Sequence, residues 1–247
     1  MTAQDILLVL AGAAAGGFIN GLAGFGTALF ALSFFLAVMP PLEAVAVTVV
    51  LSVISGLQGV WIVRDAMFQN SARLARFVLP GVIGVPIGVN LLRLIDADTL
   101  KLVIALFLLL YGGYFSLRKS LPKIARHRPL TDCAVGFSGG VLGGAASLSG
   151  ALPTMWCALR SWPKAEVRAV LQPYNVTILG LTTAMLAFAG AYHQQTLIYL
   201  AVALPATMVS AQIGIWLFQR ITDAVFTRLL ITLTFVSGAV LMLRVLL

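Results

Sequence analysis

Long apolar runs separated by short polar joints make up most of this chain. They cover approximately residues 6–39, 44–63, 74–94, 99–117, 131–159, 167–192, 195–218 and 224–247. Most have the roughly 20 residues a helix needs to cross a hydrocarbon core. Two are too long, since as one helix 6–39 would measure about 50 Å. Each over-long run carries a glycine cluster: GGFINGLAGFG from Gly16 to Gly26, and GFSGGVLGGAASLSG from Gly136 to Gly150. Glycine is costly in a helix interior, so the pattern predicts a break at each cluster. That gives five helical elements in each half of the chain.

The halves repeat one another. Phe18, Gly21 and Gly24 match Phe137, Gly140 and Gly143 at an offset of 119 residues. Four extra residues in the second half then move the offset to 123, where Ala28-Leu29 meets Ala151-Leu152, Pro40 meets Pro163 and Glu43 meets Glu166. Further on, Pro80 pairs with Pro205. The expected organisation is a first transmembrane repeat at 1–117, a basic cytoplasmic linker at 118–130 and a second repeat at 131–247.

Composition agrees with a lipid setting. Hydrophobic residues make up 60% of the 247 and charged residues 10%, and mean hydropathy is +1.03. Soluble domains carry about a quarter charged residues. The net charge of +8 does not point to nucleic acid, because the basic residues sit singly or in short joints, as the positive-inside bias places them. Arg118, Lys119, Lys123, Arg126 and Arg128 mark the central joint as cytoplasmic. Arg64, Arg73 and Arg76 then fall on the same side. Arg160, Lys164, Arg168, Arg220 and Arg228 join them only if the fifth run crosses twice, breaking at its glycines; the pieces are short, and whether each is a full short span or re-entrant stays open. With five elements per half, an odd number, the second repeat is inverted relative to the first. The expected fold is therefore an all-α polytopic membrane protein of two inverted repeats, the first element of each broken at a glycine-rich segment. The opening MTAQD has no basic n-region, so the first run is expected to stay as a span.

No catalytic constellation is visible, and no enzyme activity, metal or cofactor is expected. His127 and His193 have no acidic partner nearby in sequence, and no GxSxG or CxxC occurs. Cys133 and Cys157 read as small buried hydrophobes. Trp61, Trp156, Trp162, Tyr192 and Trp216 read as interfacial anchors. All eight acidic residues lie at run edges, so no intramembrane carboxylate relay is apparent. What remains inside the apolar runs is neutral: Asn20, Thr27, Ser138, Ser147, Ser149 and Thr154 gather at the two breaks. Broken helices present N–H groups at half-helix N-termini, where the dipole also favours an anion. Gly24, Gly26 and Gly150 would bring that backbone to a ligand, whereas the alternative for all these small residues is close helix packing.

The run from Glu166 adds Arg168, Gln172 and Asn175 at i, i+4 and i+7, one face of a helix. Pro173 removes one backbone bond of that helix. Buried amides need partners, and an Arg fork suits an oxyanion. The alternative for Arg168 is snorkelling to the interface. The candidate substrate-binding set is thus Asn20, Gly24, Gly26, Thr27, Ser147, Ser149, Gly150, Arg168, Gln172 and Asn175.

With these residues in place, the chain resembles the TauE/SafE family of sulfite and organosulfonate permeases over essentially its whole length. The resemblance rests on the duplicated glycine-rich segments, on the step from Pro41 to Ala44, and on LRSWPKAEVRAVLQPYN from Leu159 to Asn175. The chain departs from the family pattern at Val47-Thr48-Val49, where many members carry a Thr-Ser pair. The resemblance implies a secondary transporter of small sulfur-containing or carboxylate anions in a bacterial inner membrane, and the paired breaks suggest alternating access around a midplane site between them. An anion channel is the other reading. The expected partners are a small anion and the lipid bilayer, not nucleic acid; a homodimer stays open.

Overall fold

A computed structural model of the chain describes residues 2–69, 71–94, 97–116, 124, 128–160 and 162–246. Among these there are ten helices and no strand: α1 (Ala3–Ala23), α2 (Thr27–Phe35), α3 (Pro41–Gln69), α4 (Ser71–Leu94), α5 (Ala97–Ser116), α6 (Pro129–Ala146), α7 (Ala151–Ala158), α8 (Lys164–Phe188), α9 (Gln194–Arg220) and α10 (Asp223–Leu246). Five of them, α1, α3, α4, α9 and α10, contain stretches long and apolar enough to cross a membrane. Most of the expected linker at 118–130, including Arg118, Lys119, Lys123 and Arg126, lies outside the described residues.

Both over-long runs break where the glycines cluster. A capping box between Thr2 and Asp5 starts α1, which ends at Gly24 in the left-handed region at φ 83°. Gly26, also left-handed at φ 98°, leads into α2. The second break differs, because the left-handed residue closing α6 is Ser147 at φ 59°. Its N–H and that of Leu148 bond to the carbonyls of Gly143 and Leu142, satisfying the last turn of α6 as such caps do.

The returning helices are short. With nine residues, α2 spans about 13 Å, and α7 with eight about 12 Å, less than half of a hydrocarbon core of about 30 Å. Each pair is therefore a hairpin that goes in and comes back. Gly12 lies against Phe34, and Gly16 against Thr27 and Ala31, so α1 and α2 are antiparallel neighbours. In the other hairpin, Trp156 near the end of α7 donates to Asp132 in the first turn of α6 (2.7 Å).

The first helix of each hairpin packs on the fourth element of the opposite half: α1 on α9, and α6 on α4. Both contacts are glycine seams between parallel helices. A Cβ at Gly17 would strike Thr207 and Ser210, and one at Gly21 would strike the Ala211 carbonyl. In the matching seam Gly136, Gly140 and Gly144 fit against Phe77, Gly81 and Val85. The remaining principal contacts are α3 on α8 and α5 on α10. Leu22, Phe25, Phe35, Leu51, Leu171, Tyr174 and Ile178 fill the core between the hairpins and the central α3–α8 pair.

The two ends of the bundle are chemically different. At one, Arg73 pairs with Glu166 (2.6 Å) and Arg76 with Asp132 (3.5 Å). Arg160 stands over the rings of Trp156 and Trp162, and the N–H of Ile124 bonds to the Leu159 carbonyl (2.8 Å). At the other end Glu43 meets His193 (3.3 Å), and Tyr192 and Tyr199 donate to the carbonyls of Ala46 and Val38. Tyr192 lies between α8 and α9, and burial pushes its phenol pKa up to about 12. The α6–α7 hairpin enters from the basic end and the α1–α2 hairpin from the other. Each returns to the end it came from, so the basic joints Arg64–Arg76, Arg128, Arg160–Lys164 and Arg220–Arg228 share one side.

Candidate functional site

The two hairpin tips meet in the middle of the bundle. A Cβ at Gly150 in the second tip would meet Phe25 in the first, and between the tips lies a small polar cavity. Asn20, Gly26 and Thr27 line it from the first hairpin, Ser147, Ser149, Gly150 and Ala151 from the second, and Ser52 and Asn175 from α3 and α8. Phe25, Leu29, Leu148 and Leu179 complete the wall. The space is about 10 Å³, room for roughly one water molecule.

Most polar groups around the cavity are held by their neighbours. The Asn20 amide donates to Ser55 Oγ (2.6 Å) and to the Ser52 carbonyl (3.1 Å). Ser149 Oγ donates to Asn175 Oδ1 (2.6 Å), and Asn175 Nδ2 donates to the Gly24 carbonyl (2.9 Å). Asn175 thereby ties both tips to the middle of α8. Two hydroxyls in the lining have no hydrogen-bond partner among the described residues although both are buried: Thr27 Oγ1, 1% exposed, and Ser147 Oγ, 5% exposed. Thr154 Oγ1 in the first turn of α7 is a third such group nearby. An unpaired buried hydroxyl costs free energy, so these groups are suited to meet a polar ligand.

Backbone donors point the same way. Neither α2 nor α7 has a side-chain cap at its N-terminus, and the first-turn N–H groups of a helix have no partner within it. The two tips are unequal donors. In α7 the Ala151 N–H already bonds to the Leu148 carbonyl (3.2 Å), and Pro153 has no N–H to give. At α2 no proline intervenes, which makes it the richer anion seat.

Beside this cavity runs the row on α8. Arg168 is fully buried rather than drawn out to the interface. Its Nη2 donates to the Gly21 carbonyl (2.7 Å), Nη1 to that of Leu22 (3.5 Å) and Nε to Gln172 Oε1 (3.2 Å), while its guanidinium stands 4.2 Å from the centre of the Phe218 ring. Gln172 Nε2 donates to the Gly56 carbonyl (3.1 Å). The Arg168–Gln172–Asn175 face thus grips the end of α1 and the middle of α3.

The sequence matches the family described as Sulfite exporter TauE/SafE over residues 8–241, nearly the whole chain. The chain belongs to this family. No curated protein and no solved structure matches it. TauE/SafE members are transporters, and family and helices together make this chain a multi-pass membrane protein.

In this TauE/SafE chain, seven residues of the candidate set line the cavity: Asn20, Gly26, Thr27, Ser147, Ser149, Gly150 and Asn175. Gly24, Arg168 and Gln172 lie on the far side of the first tip, where Gly24 abuts Gln172 Oε1 and Arg168 Cγ. Sequence reasoning missed Ser52 and Ser55. The 123-residue offset that pairs Glu43 with Glu166 also pairs Ser52 with Asn175, and that correspondence would have found the first of them. His193 finds its acidic partner, Glu43, across 150 residues of chain, a distance at which adjacency in sequence says nothing.

Proposed function

We propose that the chain is a secondary transporter of a small sulfur-containing or carboxylate anion, such as sulfite or an organosulfonate. It works by alternating access around the cavity between the hairpin tips, with repeats 1–117 and 131–247 inverted about it and the basic end facing the cytoplasm of a bacterial cell. The observation that carries this reading is the pair of buried, unpartnered hydroxyls, one from each hairpin: Thr27 at the first position of the uncapped α2, and Ser147 at the C-cap of α6, where the second break begins. Hydroxyls and backbone N–H groups bind an anion without a contacting cation. Supporting the inversion are the two glycine seams, α1 on α9 and α6 on α4, which exchange corresponding elements of the halves and enter from opposite ends. The positive-inside bias supports the orientation.

A cavity with room for about one water favours a carrier, whose tips must part to admit the anion, over a channel. Sulfite flux into proteoliposomes tests this: a carrier saturates with rising sulfite, and flux that stays proportional to concentration means a channel. Saturable flux that is unchanged in a Thr27→Val, Ser147→Ala double variant overturns the site.

A further inference from the structure

We propose that Arg168 is a positioning residue that never touches the substrate, and that its charge makes the site prefer an anion over a neutral molecule of the same shape. This rests on the anion site proposed above. Every partner of Arg168 is neutral: the carbonyls of Gly21 and Leu22, the Gln172 amide and the Phe218 ring. Among the described residues no carboxylate reaches it. Glu166, on the same helix, is engaged with Arg73, and Asp132 with Arg76. A guanidinium stays charged, and a buried charge without a counter-charge is costly. Carbonyl dipoles relieve part of that cost, and an anion at the cavity relieves more.

The carbonyls that Arg168 holds are those of the last turn of α1, the negative end of that helix dipole, which points at the same tip the anion approaches. Arg168 covers Gly21 and Leu22 and Asn175 covers Gly24, leaving the positive N-terminus of α2 to face the cavity. The cation therefore acts twice in one direction, by its own field and by masking the opposing dipole. The other half has no counterpart: at the 123-residue offset the residue is Val45, buried and apolar.

Arg168 and Asn175 are seven positions apart on α8, about 10 Å along the helix. A unit charge at that distance, with an effective dielectric of about 20, shifts the affinity for a monoanion by about tenfold. The test compares methanesulfonate with dimethyl sulfone, a neutral molecule of nearly the same shape, by ligand-dependent thermal shift of the purified full chain. The wild type is expected to prefer methanesulfonate. Arg168→Met should lower the ratio of the two affinities about tenfold while leaving dimethyl sulfone binding nearly unchanged, and Arg168→Lys should keep the ratio although the protein melts lower. Equal weakening of both ligands in the Met variant, or an unchanged ratio, overturns the proposal. If Arg168→Met does not fold, the Lys variant decides alone, since collapse of the ratio with the charge still present overturns it. Failure of methanesulfonate to bind the wild type would instead sink the anion site itself, a separate outcome.

Discussion

Glu43 and Glu166, at corresponding positions in the first turns of α3 and α8, clamp opposite ends of the bundle. Glu43 reaches His193 before α9, and Glu166 reaches Arg73 at the start of α4. Each pair crosses from one half of the chain to the other.

Loosening one clamp should open one end only. Cys157 is fully buried in α7 near the basic end, and Cys133 can be removed as Cys133→Ser to leave it as a single reporter. Adding Glu166→Gln should raise the rate at which a water-soluble maleimide labels Cys157, by about fivefold if the pair is worth about 1 kcal/mol. Glu43→Gln should leave that rate unchanged. Equal labelling in both variants would mean that the two clamps are not separate.

The unpartnered hydroxyls allow stability and binding to be moved apart. Thr27→Val and Ser147→Ala each remove a buried group that has no partner, so the melting temperature should hold or rise. Affinity for sulfite should fall, by about 1 kcal/mol per hydroxyl or roughly fivefold. Melting curves with and without sulfite measure both quantities on one sample.

Asn175→Ala should behave in the opposite way and lower both. It leaves the Ser149 hydroxyl and the Gly24 carbonyl without their partner, a loss of about 1–3 kcal/mol in a buried setting, and it unfastens both tips. A variant that melts like the wild type would show that the tips hold each other without α8.

Two glycines separate packing from propensity. A Cβ at Gly140 would strike the Gly81 carbonyl in the α4–α6 seam, whereas at Gly180 it meets nothing within 4 Å. Gly140→Ala should lower stability by about 1–3 kcal/mol and reduce the yield of folded protein. Gly180→Ala should be neutral or add up to about 1 kcal/mol through helix propensity. Thermal melts in detergent distinguish the two.

The breaks were legible because their signal is local: a run too long for one span, interrupted by residues that weaken helices. The single face formed by Arg168, Gln172 and Asn175 was legible too, since helical spacing fixes which side chains align. What they bind was not. Arg168 reads in sequence as an interfacial cation or an anion ligand, and its use on the end of α1 depends on a contact across almost 150 residues. The depth of the breaks was hidden for a similar reason. Glycines mark where a helix stops, and Pro40 and Pro163 mark where the next begins, but neither says whether the short piece between them crosses the core or turns back. His193 was passed over because its carboxylate comes from the other half of the chain.

The exchanged seams bear on how the chain is made. The surface of α1 that carries Gly17 and Gly21 finds its match in α9, close to two hundred residues later, so during synthesis the first hairpin enters the bilayer with that notched face uncovered. Such long-range closure makes assembly late and leaves early segments open to wrong partners. A ribosome stalled after α5 would release a half that has every one of its own helices and still lacks the surface against which α1 is shaped.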